Sequence, residues 1–107
     1  ESLTERIRRY LSEGYAKPFS SKQLESEFYL SYKYMAAVFK KETGMTMQQY
    51  HTAERISRAK RMLRTTLMPV GAVAEAVGFS DMLYFSRIFH RETGLSPSDY
   101  RKKLPEW

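Results

Sequence analysis

The chain has 107 residues, enough for one modest hydrophobic core or two small ones joined by a helix. Its 42% hydrophobic and 28% charged content excludes disorder, and the absence of cysteine excludes disulfides and thiolate metal sites. The formal net charge of +6 points to a polyanionic partner, nucleic acid ahead of an anionic membrane surface.

Taken in chain order, the first expected helix runs from about Leu3 to Ser12, with Ile7, Tyr10 and Leu11 inward. A short helix carrying Leu24 and Phe28 follows. Ser31 then offers a hydroxyl N-cap to a longer helix. Met35, Val38, Phe39 and Glu42 in that helix obey the i, i+3, i+4, i+7 spacing of a single face, and Tyr34 is assigned to the core beside them. Gly44 supplies the left-handed residue that stops it. Thr46 caps a long helix, about Met47 to Thr66, whose stripe is Tyr50, Ala53, Ile56, Ala59, Met62 and Leu63. Pro69 marks its exit. Val73 and Val77 belong to the next short helix, Gly78 to a tight turn, and Ser80 is the expected N-cap of the helix with Phe85, Ile88 and Phe89 inward. Gly94 ends that helix. Ser96 and Pro97 open the last one, since proline suits a first helical position. The expected fold is all-α, with seven helices and no strand. Residues 1–107 form one domain: a first subdomain over 1–46, a linker helix over 47–66 and a second subdomain over 67–107.

The order of elements is itself a repeat. Ser31 to Tyr50 aligns with Asp81 to Tyr100: Tyr34, Phe39, Glu42, Thr43, Gly44 and Tyr50 recur as Tyr84, Phe89, Glu92, Thr93, Gly94 and Tyr100. Upstream, after a one-residue slip that a turn absorbs, Leu24, Phe28 and Leu30 align with Val73, Val77 and Phe79. Each repeat reads as a short helix, a turn, a longer helix and a glycine stop, which is a helix-turn-helix.

A helix-turn-helix lays its second helix in the major groove of DNA, so that helix needs an inner face for the core and an outer face for bases. The expected outer face of the first unit is Tyr32, Lys33, Ala36, Ala37 and Lys40. That of the second is Met82, Leu83, Ser86, Arg87 and His90, where the apolar Met82 and Leu83 point to contact with thymine methyls or burial against the neighbouring helix, burial being the expectation for Leu83. Arg87 is the leading base reader, because a guanidinium can bond guanine O6 and N7 together; a phosphate contact or surface ion pair is its plainer role. Arg55, Arg58, Lys60, Arg61 and Arg64, and then Arg101, Lys102 and Lys103, form two basic clusters suited to phosphates. His51 and His90 are expected at the surface and are too isolated for a metal site. No constellation suggests catalysis or a cofactor, so the chain reads as a non-enzyme. A helical protein-interaction module is the alternative, though it accounts for neither the repeated register nor the basic excess.

The run Arg55-Ile56, Ala59, Met62-Leu63, Val70, then Val73 to Phe89 (VAEAVGFSDMLYFSRIF), Gly94 and Ser96 to Arg101 (SPSDYR) resembles the arabinose-regulator (AraC/XylS) family of transcription activators. Leu24 to Tyr50 resembles that family's first helix-turn-helix, so the likeness covers nearly the whole chain. It implies a seven-helix domain acting as the C-terminal reading head of a bacterial, cytoplasmic transcription regulator. Its two recognition helices would enter successive major grooves of double-stranded DNA. RNA polymerase and an attached sensor or receiver domain are the other implied partners, with no membrane and no cofactor. The chain departs from the family at Glu25, where a small residue is usual. It departs again at Tyr29, which fills the turn position held by Gly78 in the second unit, and at Ala36 and Ala37, where long polar side chains are common.

Overall fold

In the computed structural model, which describes residues 1–103, seven helices follow one another: α1 (Leu3–Glu13), α2 (Ser21–Phe28), α3 (Tyr32–Thr43), α4 (Met47–Thr65), α5 (Val70–Ala76), α6 (Met82–Thr93) and α7 (Pro97–Lys102). No strand occurs among the described residues. The last four residues of the expected 67–107 subdomain lie outside the description. The chain divides into two compact units, Glu1–Glu54 and a second beginning at Arg55.

The helix ends follow from side-chain chemistry. Ser2, Ser20, Ser31 and Ser96 each accept a hydrogen bond from a first-turn backbone N–H, which would otherwise be left without a partner. At α4 the arrangement is reciprocal: the Gln49 amide donates to the Thr46 hydroxyl at 3.0 Å, and the Thr46 amide to the Gln49 side-chain oxygen at 2.9 Å. The expected cap of α6 requires correction. Asp81, not Ser80, holds that position, its carboxylate accepting from the amides of Leu83 and Tyr84 at 2.8 and 3.3 Å. One carboxylate thereby serves two donors, and its charge suits the positive end of the helix dipole.

At the other ends, Gly44 and Gly94 adopt φ of +78° and +83°, a left-handed conformation that a side chain would strain. Thr43 and Thr93 complete both stops in the same way. Each hydroxyl donates to the carbonyl four residues back, Phe39 at 2.7 Å and Phe89 at 2.8 Å. Each accepts from the amide two residues ahead, Met45 and Leu95, at 3.1 Å. The Glu-Thr-Gly triplet common to both repeats is thus a helix terminator.

The core of the first unit is Ile7, Leu11, Leu24, Met35, Phe39 and Met47, with Tyr10, Phe28, Tyr32 and Tyr50 packed against it. α3 carries Met35 and Phe39 against α1 and α2. The buried Thr4 hydroxyl of α1 donates to the Glu42 carboxylate of α3. His51, expected at the surface, is buried in this unit. It lies one turn after Met47 on the same face of α4, with Nε2 3.4 Å from the Gly14 carbonyl oxygen and the ring 5.8 Å from that of Phe19.

In the second unit Ile56, Ala59 and Leu63 of α4 are buried, as are Val73 and Ala74 of α5, Val77 and Phe79 of the turn, and Phe85, Ile88 and Phe89 of α6. Phe79, Phe85, Phe89 and Tyr100 form a chain of ring contacts at 5.2, 5.7 and 5.4 Å between centroids. The last contact is edge-on at 79°, and Phe39 meets Tyr50 in the first unit at 76°. The two repeats therefore share packing geometry as well as letters.

Candidate nucleic-acid interface

In the first unit, α2 ends at Tyr29, whose φ of 55° lies in the left-handed region, and α3 begins three residues later. In the second unit the turn runs through Gly78, with φ of 103°. Its amides are used locally: Gly78 N–H donates to the Glu75 carbonyl at 3.0 Å and Phe79 N–H to that of Ala74 at 2.9 Å.

Glu25 proves to be a positioning residue. Its carboxylate accepts from the Tyr32 amide at 2.7 Å, across the turn from α2 to the start of α3. Where a small residue would let the helices close up, as buried Ala74 does in α5, Glu25 stays exposed and pins the second helix by its backbone. Two first-turn amides of α3 are thus held by side chains, Tyr32 by Glu25 and Tyr34 by Ser31. Asp81 does the same work for α6.

The outer faces differ in part from expectation. Lys33, Ala37 and Lys40 are exposed, but Tyr32 and Ala36 are half-buried against the core. The Tyr32 ring stands edge-on to Phe19 at 6.2 Å. Both residues lie on the flank of α3 that faces the first helices, not on its outer side. Tyr34, assigned to the core from its spacing, is instead 55% exposed, and its repeat partner Tyr84 is 54% exposed.

In α6, Arg87 and His90 are exposed and Ser86 is half-buried. The expectation for Leu83 was burial, yet it is 69% exposed. Met82, expected on the outer face, is 50% exposed, with its sulfur near Gly71 of α5. Both apolar residues are therefore exposed, Leu83 more than Met82. Leu83, Ser86, Arg87, His90 and Ser96 line one shallow concavity.

Exposed positions match between repeats as buried ones do. Lys33, Tyr34, Ala37, Lys40 and Lys41 of α3 correspond to Leu83, Tyr84, Arg87, His90 and Arg91 of α6, and all are exposed. The α3 face offers three ammonium groups around a bare alanine, which suits phosphate and lacks the planar fork of a guanidinium. The α6 face offers two guanidiniums, an imidazole and the Tyr84 hydroxyl, and a guanidinium can fork onto a base.

Two arginines placed in the basic clusters are spent on structure. Arg55 donates from Nη1 to the Gly78 carbonyl oxygen at 3.1 Å, and its guanidinium lies 5.2 Å from the centre of the Phe79 ring. Burial lowers its pKa from the usual value, and the nearby Tyr84 opposes that shift. Arg101 donates from Nε to the Leu63 carbonyl at 3.1 Å and from Nη2 to that of Thr66 at 3.3 Å, closing the C-terminal end of α4. Spacing showed charge at both sites but not the carbonyls that claim it.

No group of three histidine, aspartate or glutamate side chains among the described residues is placed to hold a metal ion. No helix among them is long and apolar enough to cross a membrane.

Two units, each with a short helix, a tight turn and a capped second helix exposing polar and cationic side chains, define a tandem helix-turn-helix protein. A helix-turn-helix domain family model matches residues 24–103. An uncharacterized HTH-type transcriptional regulator, YijO of Escherichia coli K12, is 35% identical over 103 residues, covering 96% of this chain and 36% of its own. The arabinose operon regulatory protein of the same organism is 42% identical over 77 residues, covering 72% and 26%. The C-terminal domain of AraT, a response regulator from Geobacillus stearothermophilus, superposes with a TM-score of 0.93 at 25% identity, covering 100% of this chain and 89% of that one. The DNA-binding domain of AdpA, solved in complex with a target DNA, gives a TM-score of 0.86 at 25% identity and covers 95% and 92%. The chain belongs to the AraC-type helix-turn-helix family. It spans roughly a third or less of the curated relatives' lengths, 36% and 26% for the two named here.

Proposed function

We propose that the chain binds double-stranded DNA sequence-specifically, as the reading head of a bacterial transcription regulator. The observation that carries this is the pair of second helices, α3 and α6. Each is held from behind by a buried apolar face and exposes its equivalent positions to solvent. A helix so held is what the major groove accepts, and the net charge of +6 supplies attraction to the phosphates.

Within this reading Lys33, Ala37, Lys40, Arg87 and His90 face the groove. Tyr32 and Ala36 support α3 from the side, Met82 lies exposed at the start of α6, and Ser86 lies at the edge of the reading face. Residues 1–46 and 67–107 are the two readers and residues 47–66 the helix they share, the whole acting as one domain. The greater length of the relatives supports an attached sensor or receiver domain. An activator that works in the cytoplasm also engages RNA polymerase.

Selection of bound duplexes from a random pool, followed by footprinting, tests the reading. One copy should protect about 15–20 base pairs of asymmetric sequence, the span of two successive major grooves. Arg87→Ala should cost about 1–3 kcal/mol on the selected site and relax preference at one or two base pairs. An equal loss on every sequence would demote Arg87 to a phosphate contact. Absence of binding to any duplex at low salt would leave the chain a helical protein-interaction module.

A further inference from the structure

Leu83 stands out on the face of α6. It is 69% exposed, and its neighbours in the concavity, Ser86, Arg87, His90 and Ser96, can all form hydrogen bonds while it cannot. Its backbone is fixed, because Asp81 caps the amides of Leu83 and Tyr84 and so leaves those donors unavailable to a phosphate. Its side chain, beside Arg87 on the outer face, is the apolar surface this helix offers to a groove. The major groove offers an apolar side chain only one apolar group, the 5-methyl of a pyrimidine. That group is carried by thymine, and at the same ring position by 5-methylcytosine.

Arg87 follows Leu83 by four residues, so the two share a face with Cβ atoms about 5–6 Å apart. That separation spans adjacent or next-adjacent base pairs. In the first unit the same positions hold Lys33 and Ala37, which supply neither the apolar surface nor the fork.

We propose that Leu83 and Arg87 together read a guanine beside a 5-methylpyrimidine, so that the second unit senses the methyl group itself. The proposal rests on the DNA-binding reading above and adds a chemical mark to it. Thymine is distinguished from uracil, and 5-methylcytosine from cytosine, at one position beside the guanine that Arg87 contacts. Binding to that site would then respond to cytosine methylation as well as to sequence.

The test uses the duplex selected by the unaltered chain. Each thymine is replaced in turn by uracil, and the base beside the guanine by cytosine or 5-methylcytosine, with Kd measured at one salt concentration. Burial of one methyl predicts that uracil at a single position weakens binding about threefold to fivefold, and that 5-methylcytosine binds tighter than cytosine by a similar factor. Leu83→Ala should bring both ratios to about one while duplex binding persists. Because the side chain is exposed, its melting temperature should not move. Lys33→Ala should leave both ratios as they were. Ratios near one at every position in the unaltered chain overturn the proposal, as do ratios that survive Leu83→Ala. If no duplex is selected from the pool, the parent reading fails instead, a result reached before any base is replaced.

Discussion

The Arg55 guanidinium and the Gly78 carbonyl oxygen meet at 3.1 Å, tying α4 to the turn of the second helix-turn-helix. Gly78 can make that turn because its φ of 103° costs it little, and its carbonyl then accepts from Arg55, whose guanidinium also covers Phe79. Arg55→Lys keeps the charge but loses the planar fork and most of the stacking. It should destabilise the chain by about 1–2 kcal/mol, read by thermal or urea unfolding. Unchanged stability with a salt-dependent loss of DNA affinity would instead return Arg55 to the phosphate contacts.

Phe89 is fully buried between Phe85 and Tyr100. Phe89→Ala should cost about 3–5 kcal/mol, from lost burial plus the cavity left behind. A small shift in melting temperature would mean that this face of α6 is not what holds the reading helix.

Tyr29 sits at φ of 55° with 91% of its surface in water, so the ring gives no packing in return for the left-handed backbone. Asparagine tolerates that conformation far better than tyrosine. Tyr29→Asn should raise stability by about 0.5–1 kcal/mol. Destabilisation in a denaturant titration would show that the ring does work in the folded chain.

With Arg55 and Arg101 engaged by carbonyls, fewer cations are left for phosphates than the two basic clusters imply. About four to six phosphate contacts give a slope of log affinity against log salt of roughly −3.5 to −5.5. A slope shallower than about −2 would rule out an extensive DNA-binding face. One steeper than about −7 would mean that the structural arginines contact phosphate after all.

Much of this fold is legible before any coordinate. Periodicity finds Met35, Phe39, Phe85 and Phe89, and the recurring Glu-Thr-Gly marks both helix ends, because burial and chain reversal constrain residue type strongly. Faces just off the core are harder. Tyr32 and Ala36 lie at the margin of the α3 stripe, and only the position of Phe19 and the neighbouring helices decides that they are covered. The buried face of α4 holds Met47 and His51 in the first unit and Ile56, Ala59 and Leu63 in the second, so a single stripe drawn along it passes over the histidine. Asp81 aligned with Ser31 in the repeat, yet a serine next to it offered the more familiar cap. For Met82 and Leu83, apolar character suggests burial, yet both stay exposed on α6, which composition alone has no means of telling.

The paired repeats also say how such a reader can change over generations. Phe39, Thr43, Gly44 and Tyr50 keep the same letters as Phe89, Thr93, Gly94 and Tyr100, and each set terminates and braces its helix in the same geometry. Lys33, Ala37 and Lys40 have nothing in common with Leu83, Arg87 and His90, although they occupy matching exposed sites. Inheritance can therefore rewrite the address that each half recognises, one solvent-facing letter at a time, while the ring contact and the Thr-Gly stop that hold those letters in place are kept.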